Sequence, residues 1–461
     1  HSNMAEIVWL WKVENLVTVA AGAGGSVSTN GGWGDYIADT ITITATPSEG
    51  YSFYKWTGDV DESLRLNPTI TVDFSMARSI TATFGGIYYL SPEGDDANDG
   101  LSWSQAFLTL SNAVEQAAAG STIRVTNGTY QVDSEITISK GLAVVGVADA
   151  AQTIIKQKPA GVPQNNLTHF GFNMLKLDHA DASLEGLTLT GVVIDGDYNA
   201  HKGAVTITAN GGVVRNCVFV NNRSVTFHTY GPAANVYGGL VDRCLFIGNT
   251  NSTGGVRGIV DLTGGTIQNC LFTDNQTACG VIYIDTTTTD TLVRNCTITA
   301  NYTPASVTVS PGLYLGCASS TYYAKVRIEN TICRGNIASG GTSVGFPDWD
   351  ISNTTFLDVA TNSFYNCLTT GAPNGTCIDA DPEFTDPENA DFTLLAASPC
   401  IDAGYANDLA YDYDGFARPS GAGIDIGAYE YDQSSLSAGF TADTLAAQAG
   451  TAFTLEATVR G

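Results

Sequence analysis

Positive charge is scarce in this chain. Of 461 residues only 20 are Lys or Arg, against 46 Asp and Glu, for a formal net charge of -26. That balance excludes nucleic acid, anionic membrane surfaces and any polyanion held by charge alone; an anionic substrate would need a local basic cleft or a bridging cation. Long apolar runs are missing too. No stretch approaches the roughly 18 residues of a membrane span, so no membrane insertion is expected. The ten cysteines and five histidines form no Cys-x-x-Cys or clustered Cys/His pattern, which argues against structural zinc. Runs of Ala, Leu, Glu and Lys, the material of helical repeats, are rare.

What the chain does have is a repeat. Val214-Arg-Asn-Cys217-Val-Phe219 with Asn222, Val241-Asp-Arg-Cys244-Leu-Phe246 with Asn249, Ile267-Gln-Asn-Cys270-Leu-Phe272 with Asn275, and Val293-Arg-Asn-Cys296-Thr-Ile298 with Asn301 follow one another at nearly constant spacing. A period of roughly 26 residues marks a solenoid. Apolar slots fall three before and two after each cysteine. The two-residue step is strand alternation, and the three-residue step needs one extra residue at a bend. The expected fold is therefore all-β: a right-handed parallel β-helix of roughly ten coils, with each strand paired to its copies at about 4.8 Å.

Several details follow from stacking. The cysteine slot should be a column of free, buried thiols acting as small hydrophobes. Cys279, Cys317, Cys333, Cys367, Cys377 and Cys400 lie outside that slot by spacing, and their pairing is unreadable. The recurring Asn should form a ladder of amides and occupy the left-handed corner. Leu184, Leu187 and Leu189, and later Ile328, Thr331, Cys333 and Asn336, align as further coils. An excursion is expected over residues 310–323.

Three flanking blocks complete the reading. Residues 1–86 hold short alternating strands. Gly50-Tyr-Ser-Phe-Tyr-Lys-Trp-Thr-Gly58, Asn67-Pro and Thr81-Ala-Thr-Phe84 resemble the small repeat modules related to the listerial internalin B-repeat, which implies an extracellular spacer or attachment module. Trp56 and Tyr54 are its core or a sugar-stacking platform. Residues 87–432 contain the solenoid. Asn98-Asp-Gly, Ser102-Trp103, an amphipathic helix over residues 104–119 ending at Gly120, Thr122-Ile and Gly128-Thr-Tyr130 resemble the N-terminal cap of pectate-lyase-like β-helix proteins. Its Asp95, Asp96, Asn98 and Asp99 loop reads as a turn or a calcium site. Asp381-Pro-Glu-Phe, Ser398-Pro-Cys-Ile-Asp-Ala-Gly404, Asp412-Tyr-Asp-Gly and Asp425-Ile-Gly-Ala-Tyr-Glu430 resemble the closing end of choice-of-anchor Q proteins. Residues 433–461 resemble the first strands of a sandwich module, so a monomer within a longer modular chain, secreted or on the cell surface, is expected.

The strands before the cysteine slots carry the candidate chemistry. Elimination at a uronate needs a base for the C5 proton and a group to stabilise the carboxylate. Lys202, His228, Tyr230 and Arg257 are the catalytic candidates, Arg223, Asp261, Tyr283 and Asp285 the substrate-binding ones. Asp195 and Asp197 are candidate ligands for calcium, the one cofactor considered. The same residues also read as a plain solvated face. No Asn-Thr-Asp or Gly-Asp-Asp run of the polygalacturonase kind is visible. Two functions stay open: a polysaccharide lyase acting on an acidic glycan, and a non-catalytic adhesin or stalk that binds a cell-surface glycan or another partner.

Overall fold

The computed structural model describes residues 12–158, 172–194, 203–225, 231–251, 257–285, 289–304, 310–316, 325–337, 348–351, 364–370 and 374–433. The repeat winds into a right-handed parallel β-helix with three long parallel sheets and a short four-stranded ladder at one corner. Each full coil crosses a first, a second and a third face in turn; in one coil these are Val213–Arg215, Val218–Val220 and Ala234–Val236.

Register is set by what points inward. On the first face Leu184, Val214, Val241, Ile267, Val293 and Ile328 stand in one column. On the second, Phe219, Phe246 and Phe272 stack with centroids 4.5 Å apart and planes within 6°. Each buried ring contributes about 1.5–3 kcal/mol by transfer from water. The third face repeats an apolar–polar–apolar triplet: Val205-Thr-Ile, Ala234-Asn-Val, Val260-Asp-Leu, Ile282-Tyr-Ile and Leu313-Tyr-Leu, with the outer members of each in the core.

The thiol column forms as expected: Cys217, Cys244, Cys270 and Cys296 are buried and free, and burial pushes the Cys217 and Cys270 thiols up. Cys367 belongs to the same slot, since Leu368 pairs with Ile332 just as Ile332 pairs with Thr297; the spacing hid it because that coil is longer. The amide ladder also forms. Nδ2 of Asn222 donates to Oδ1 of Asn249 (3.1 Å), Asn249 to Asn275 (3.0 Å), Asn275 to Asn301 (2.9 Å) and Asn301 to Asn336 (2.9 Å). The corner assignment is corrected. Left-handed backbone belongs to the residue before each ladder Asn (Asn221, Gly248, Asp274, Ala300, Gly335) and before each Cys-slot residue (Asn216, Arg243, Asn269, Asn295, Asn330, Asn366). The ladder residues themselves turn inward to satisfy backbone carbonyls. Within the expected excursion, Leu313–Leu315 is a regular third-face strand.

The N-terminal module has strands β1 (Glu14–Ala21), β2 (Gly25–Val27), β3 (Gly31–Asp35), β4 (Thr40–Pro47), β5 (Tyr51–Gly58), β6 (Thr69–Asp73) and β7 (Arg78–Leu90). Trp56 is fully buried and donates Nε1–H to the Asn67 carbonyl at 2.8 Å, so it is core. No linker follows the module. β7 begins as the partner of β1 and β5 and ends as the parallel partner of β8 (Thr122–Val125) in the first face. Gly85-Gly86, where a boundary was expected, is strand interior; a Cβ on Gly85 would sit 1.6 Å from the Gly120 carbonyl oxygen. Tyr54 is an anchor. Its hydroxyl donates to Asp181 (2.8 Å), which also pairs with Lys55, and a Cβ on Gly141 would fall 1.9 Å from the Tyr54 oxygen.

The capping helix is shorter than its pattern, α1 (Leu110–Gln116), with Thr109 accepting a bond from the Asn112 N–H. Phe107 and Leu110 seal the core. In the acidic loop, Asp95 and Asp99 accept backbone N–H bonds two residues on, and Asp96 accepts from Leu108 and Thr109, which are turn and capping roles. The end segment, 374–433, runs back along the first corner. Nδ2 of Asn269, Asn295, Asn330 and Asn366 donates to carbonyls of Tyr411, Asp425, Tyr405 and Ala403. A fully buried Arg418–Glu430 pair holds its last turn.

Candidate active site on the third face

Asp261 is the middle residue of Val260–Leu262. Its neighbours point into the core, so alternation turns Asp261 outward, yet it is only 2% exposed. In register it lies between Asn235 and Tyr283, and Tyr283 lies beside Tyr314. Burial pushes the Asp261 carboxyl up to about 7, against the opposing pull of Arg257 and of the Gly258 N–H, which donates to Oδ1 at 3.2 Å. Oδ2 accepts no hydrogen bond within the described residues; Nε of Arg257 stands 3.9 Å from it.

Arg257 joins two carboxylates. Its Nη1 is 2.5 Å from Oδ2 of Asp285, two residues beyond Tyr283 on the next coil. Burial opposes its charge, but Asp261 and Asp285 outweigh that and hold the guanidinium above its ordinary value. Its Cζ also lies over the Tyr283 ring, 5.0 Å from the centroid, while Tyr314 stacks on Tyr283 at 5.4 Å and 13°. Burial pushes the Tyr283 phenol up. Asn235 frames the upstream side by exchanging bonds with the Gly231 backbone: Gly231 N–H to Oδ1 at 3.1 Å and Nδ2 to the carbonyl at 3.2 Å. The result is a buried acid beside an ion-paired carboxylate, bridged by one arginine and walled by two tyrosines.

Residues 15–87 match the family model of a divergent InlB B-repeat domain. Residues 262–411 match a model described as disaggregatase related. No curated protein matches the chain in sequence. Among solved structures, the chain is similar to pectate lyase Pel9A (14% identity, 75% of this chain and 96% of that one, TM-score 0.33). It is also similar to a rhamnogalacturonan lyase (13%, 62% and 68%, 0.38) and to pectin methylesterase PemA from Erwinia chrysanthemi (14%, 49% and 69%, 0.30). At these scores the strand register of this chain, and not the superposition, carries the fold.

Of the sequence candidates, Arg257, Asp261, Tyr283 and Asp285 come together. Arg223 does not: it is exposed in the corner ladder, paired with Val193 and Thr250. Lys202, His228, Tyr230, Asp195 and Asp197 lie outside the described residues. Among the described residues no group of three or more His, Cys, Asp or Glu side chains is arranged to hold a metal, and no helix is long and apolar enough to cross a membrane. Asn235 and Tyr314 were missed. Aligning the third-face triplets, whose middle residue faces outward, would have found both.

Proposed function

We propose that the solenoid is a secreted, carbohydrate-cleaving β-helix whose reaction centre is Asp261 with Asp285 and Arg257. The observation that carries this is the Asp261 carboxyl: buried, raised to about 7, with one oxygen that accepts no hydrogen bond among the described residues, beside a second carboxylate tied to a guanidinium. A pair of carboxyl groups is the working part of glycosidic bond cleavage, one donating a proton to the leaving oxygen and the other acting on the opposite side. Asp261 is the donor in this reading, and Arg257 positions both acids. Among the described residues, a raised carboxyl beside a second carboxylate supplies the parts that hydrolysis uses. Arg257 is held as a cation by Asp261 and Asp285, so β-elimination would draw its base from Lys202, His228 or Tyr230, which are outside the described residues. The adhesin reading is favoured by one observation, the InlB B-repeat match at residues 15–87.

The test is incubation of the full chain with a panel of neutral and acidic polysaccharides, with and without chelator. New reducing ends without ultraviolet absorbance support hydrolysis. Absorbance from unsaturated uronates would replace it with elimination. Neither signal, with retention on a glycan array, would leave the adhesin.

A further inference from the structure

Nine cysteines fall among the described residues, all free thiols; eight are buried and Cys377 alone is half-exposed. Cys377 packs against the solenoid core and stands in register with Cys367, one residue before the Leu368–Ile378 bridge. Their backbones are joined. The Ile378 N–H donates to the Cys367 carbonyl (2.8 Å), the Thr369 N–H donates to the Ile378 carbonyl (3.0 Å), and Leu368 and Ile378 form a single parallel bridge. Strands bonded this way bring their Cα atoms within the range of about 4.4–6.8 Å that a disulfide spans.

Cys367 and Cys377 continue the column of Cys217, Cys244, Cys270 and Cys296, but those four are buried out of reach of an oxidant, whereas Cys377 at the column's end is half-buried. Cys377 follows the turn at Asn374, whose carbonyl accepts its N–H at 3.1 Å, and is joined to the coil before it by one bridge only. We propose that Cys367 and Cys377 form a disulfide that staples the end segment to the last coil. The neighbouring Cys367 thiol pulls Cys377 below the ordinary thiol value, while burial pushes Cys367 up, so the accessible thiol is also the readier thiolate.

The oxidant is a small disulfide. The Cys377 thiolate attacks one sulfur of glutathione disulfide and expels a glutathione thiolate. The Cys367 sulfur, losing its proton, then displaces the second glutathione. Two S–H bonds and one S–S bond break, one S–S bond forms in the protein, and two glutathione thiols leave with the two electrons and two protons. Closing the short loop between the two positions restricts the unfolded chain.

The intact chain is incubated with glutathione disulfide or with a reductant, then denatured, alkylated and cut after Arg334. The following peptide carries Cys367, Cys377 and Cys400. One alkyl adduct, on Cys400, is expected after oxidation and three after reduction, with a higher melting temperature in the oxidised sample that Cys377→Ser abolishes. Three adducts in both samples, or glutathione retained on Cys377 with Cys367 alkylated, would overturn the staple.

Discussion

At Asp261 function and stability pull in opposite directions. Its carboxyl is raised in the folded chain, so the neutral form is the one the fold tolerates. Stability from this group is fully present below the ordinary carboxylate range near pH 4 and is lost as pH rises to about 7. A shift of about three units corresponds to at most about 4 kcal/mol. Asp261→Asn keeps an acceptor for the Gly258 N–H but carries no charge. It should melt higher than wild type at pH 8, with the gap closing at pH 4, and should lose polysaccharide cleavage at every pH. A thermal melt at both pH values checks the first outcome and a reducing-end assay the second. If Asp261 is the proton donor, wild-type kcat/KM should also fall as pH rises past about 7.

Two asparagine columns divide the work of the elements. Asn275 serves the inner ladder: its Nδ2 donates to the Phe246 and Thr273 carbonyls and to Asn301, and its Oδ1 accepts from the N–H and Nδ2 of Asn249. Asn275→Ala strands several buried groups at once and should cost about 3 kcal/mol or more, read by denaturant unfolding. Asn330 serves the outer corner with φ 46°, and exchanges bonds with Tyr405 of the end segment: Nδ2 to the carbonyl at 2.8 Å, and the Tyr405 N–H to Oδ1 at 2.6 Å. Asn330→Gly keeps the backbone preference and loses the grip, whereas Asn330→Ala loses both. Alanine should be less stable than glycine by about 1–2 kcal/mol, and both should raise protease access to residues 400–410. The spacing showed the inner column and gave it the corner role that belongs to the outer one, because which residue turns the backbone depends on where the strand registers lock.

The whole molecule is a rod that begins in the module. With β7 shared and Tyr54 and Lys55 both on Asp181, the module is a rigid extension of the first face and covers its open edge. Gly141→Ala should push Tyr54 out of its notch and let the module pivot, seen as a lower melting temperature for the module and a broader scattering profile; an unchanged profile would count against the anchor.

Winding, coil length, the thiol column and the amide ladder were set by the sequence alone, because a period of about 26 residues with apolar slots at fixed offsets can bury its hydrophobic face only by stacking on its own copies. The linkerless junction, the inward or corner role of each asparagine and the reaction centre were decided by tertiary structure. Asp261 and Asp285 lie about one coil apart, and the repeat marked both, with Arg257, as candidates on one face; it did not show which of them touch or how deeply each is buried. They meet because adjacent coils place Tyr283 beside Asp261, and Arg257 then reaches both carboxylates, the buried one and the partly exposed one. The burial of Asp261 belongs to the stacked coils and to no single one of them, so the pattern named the residues without showing which carboxyl is raised.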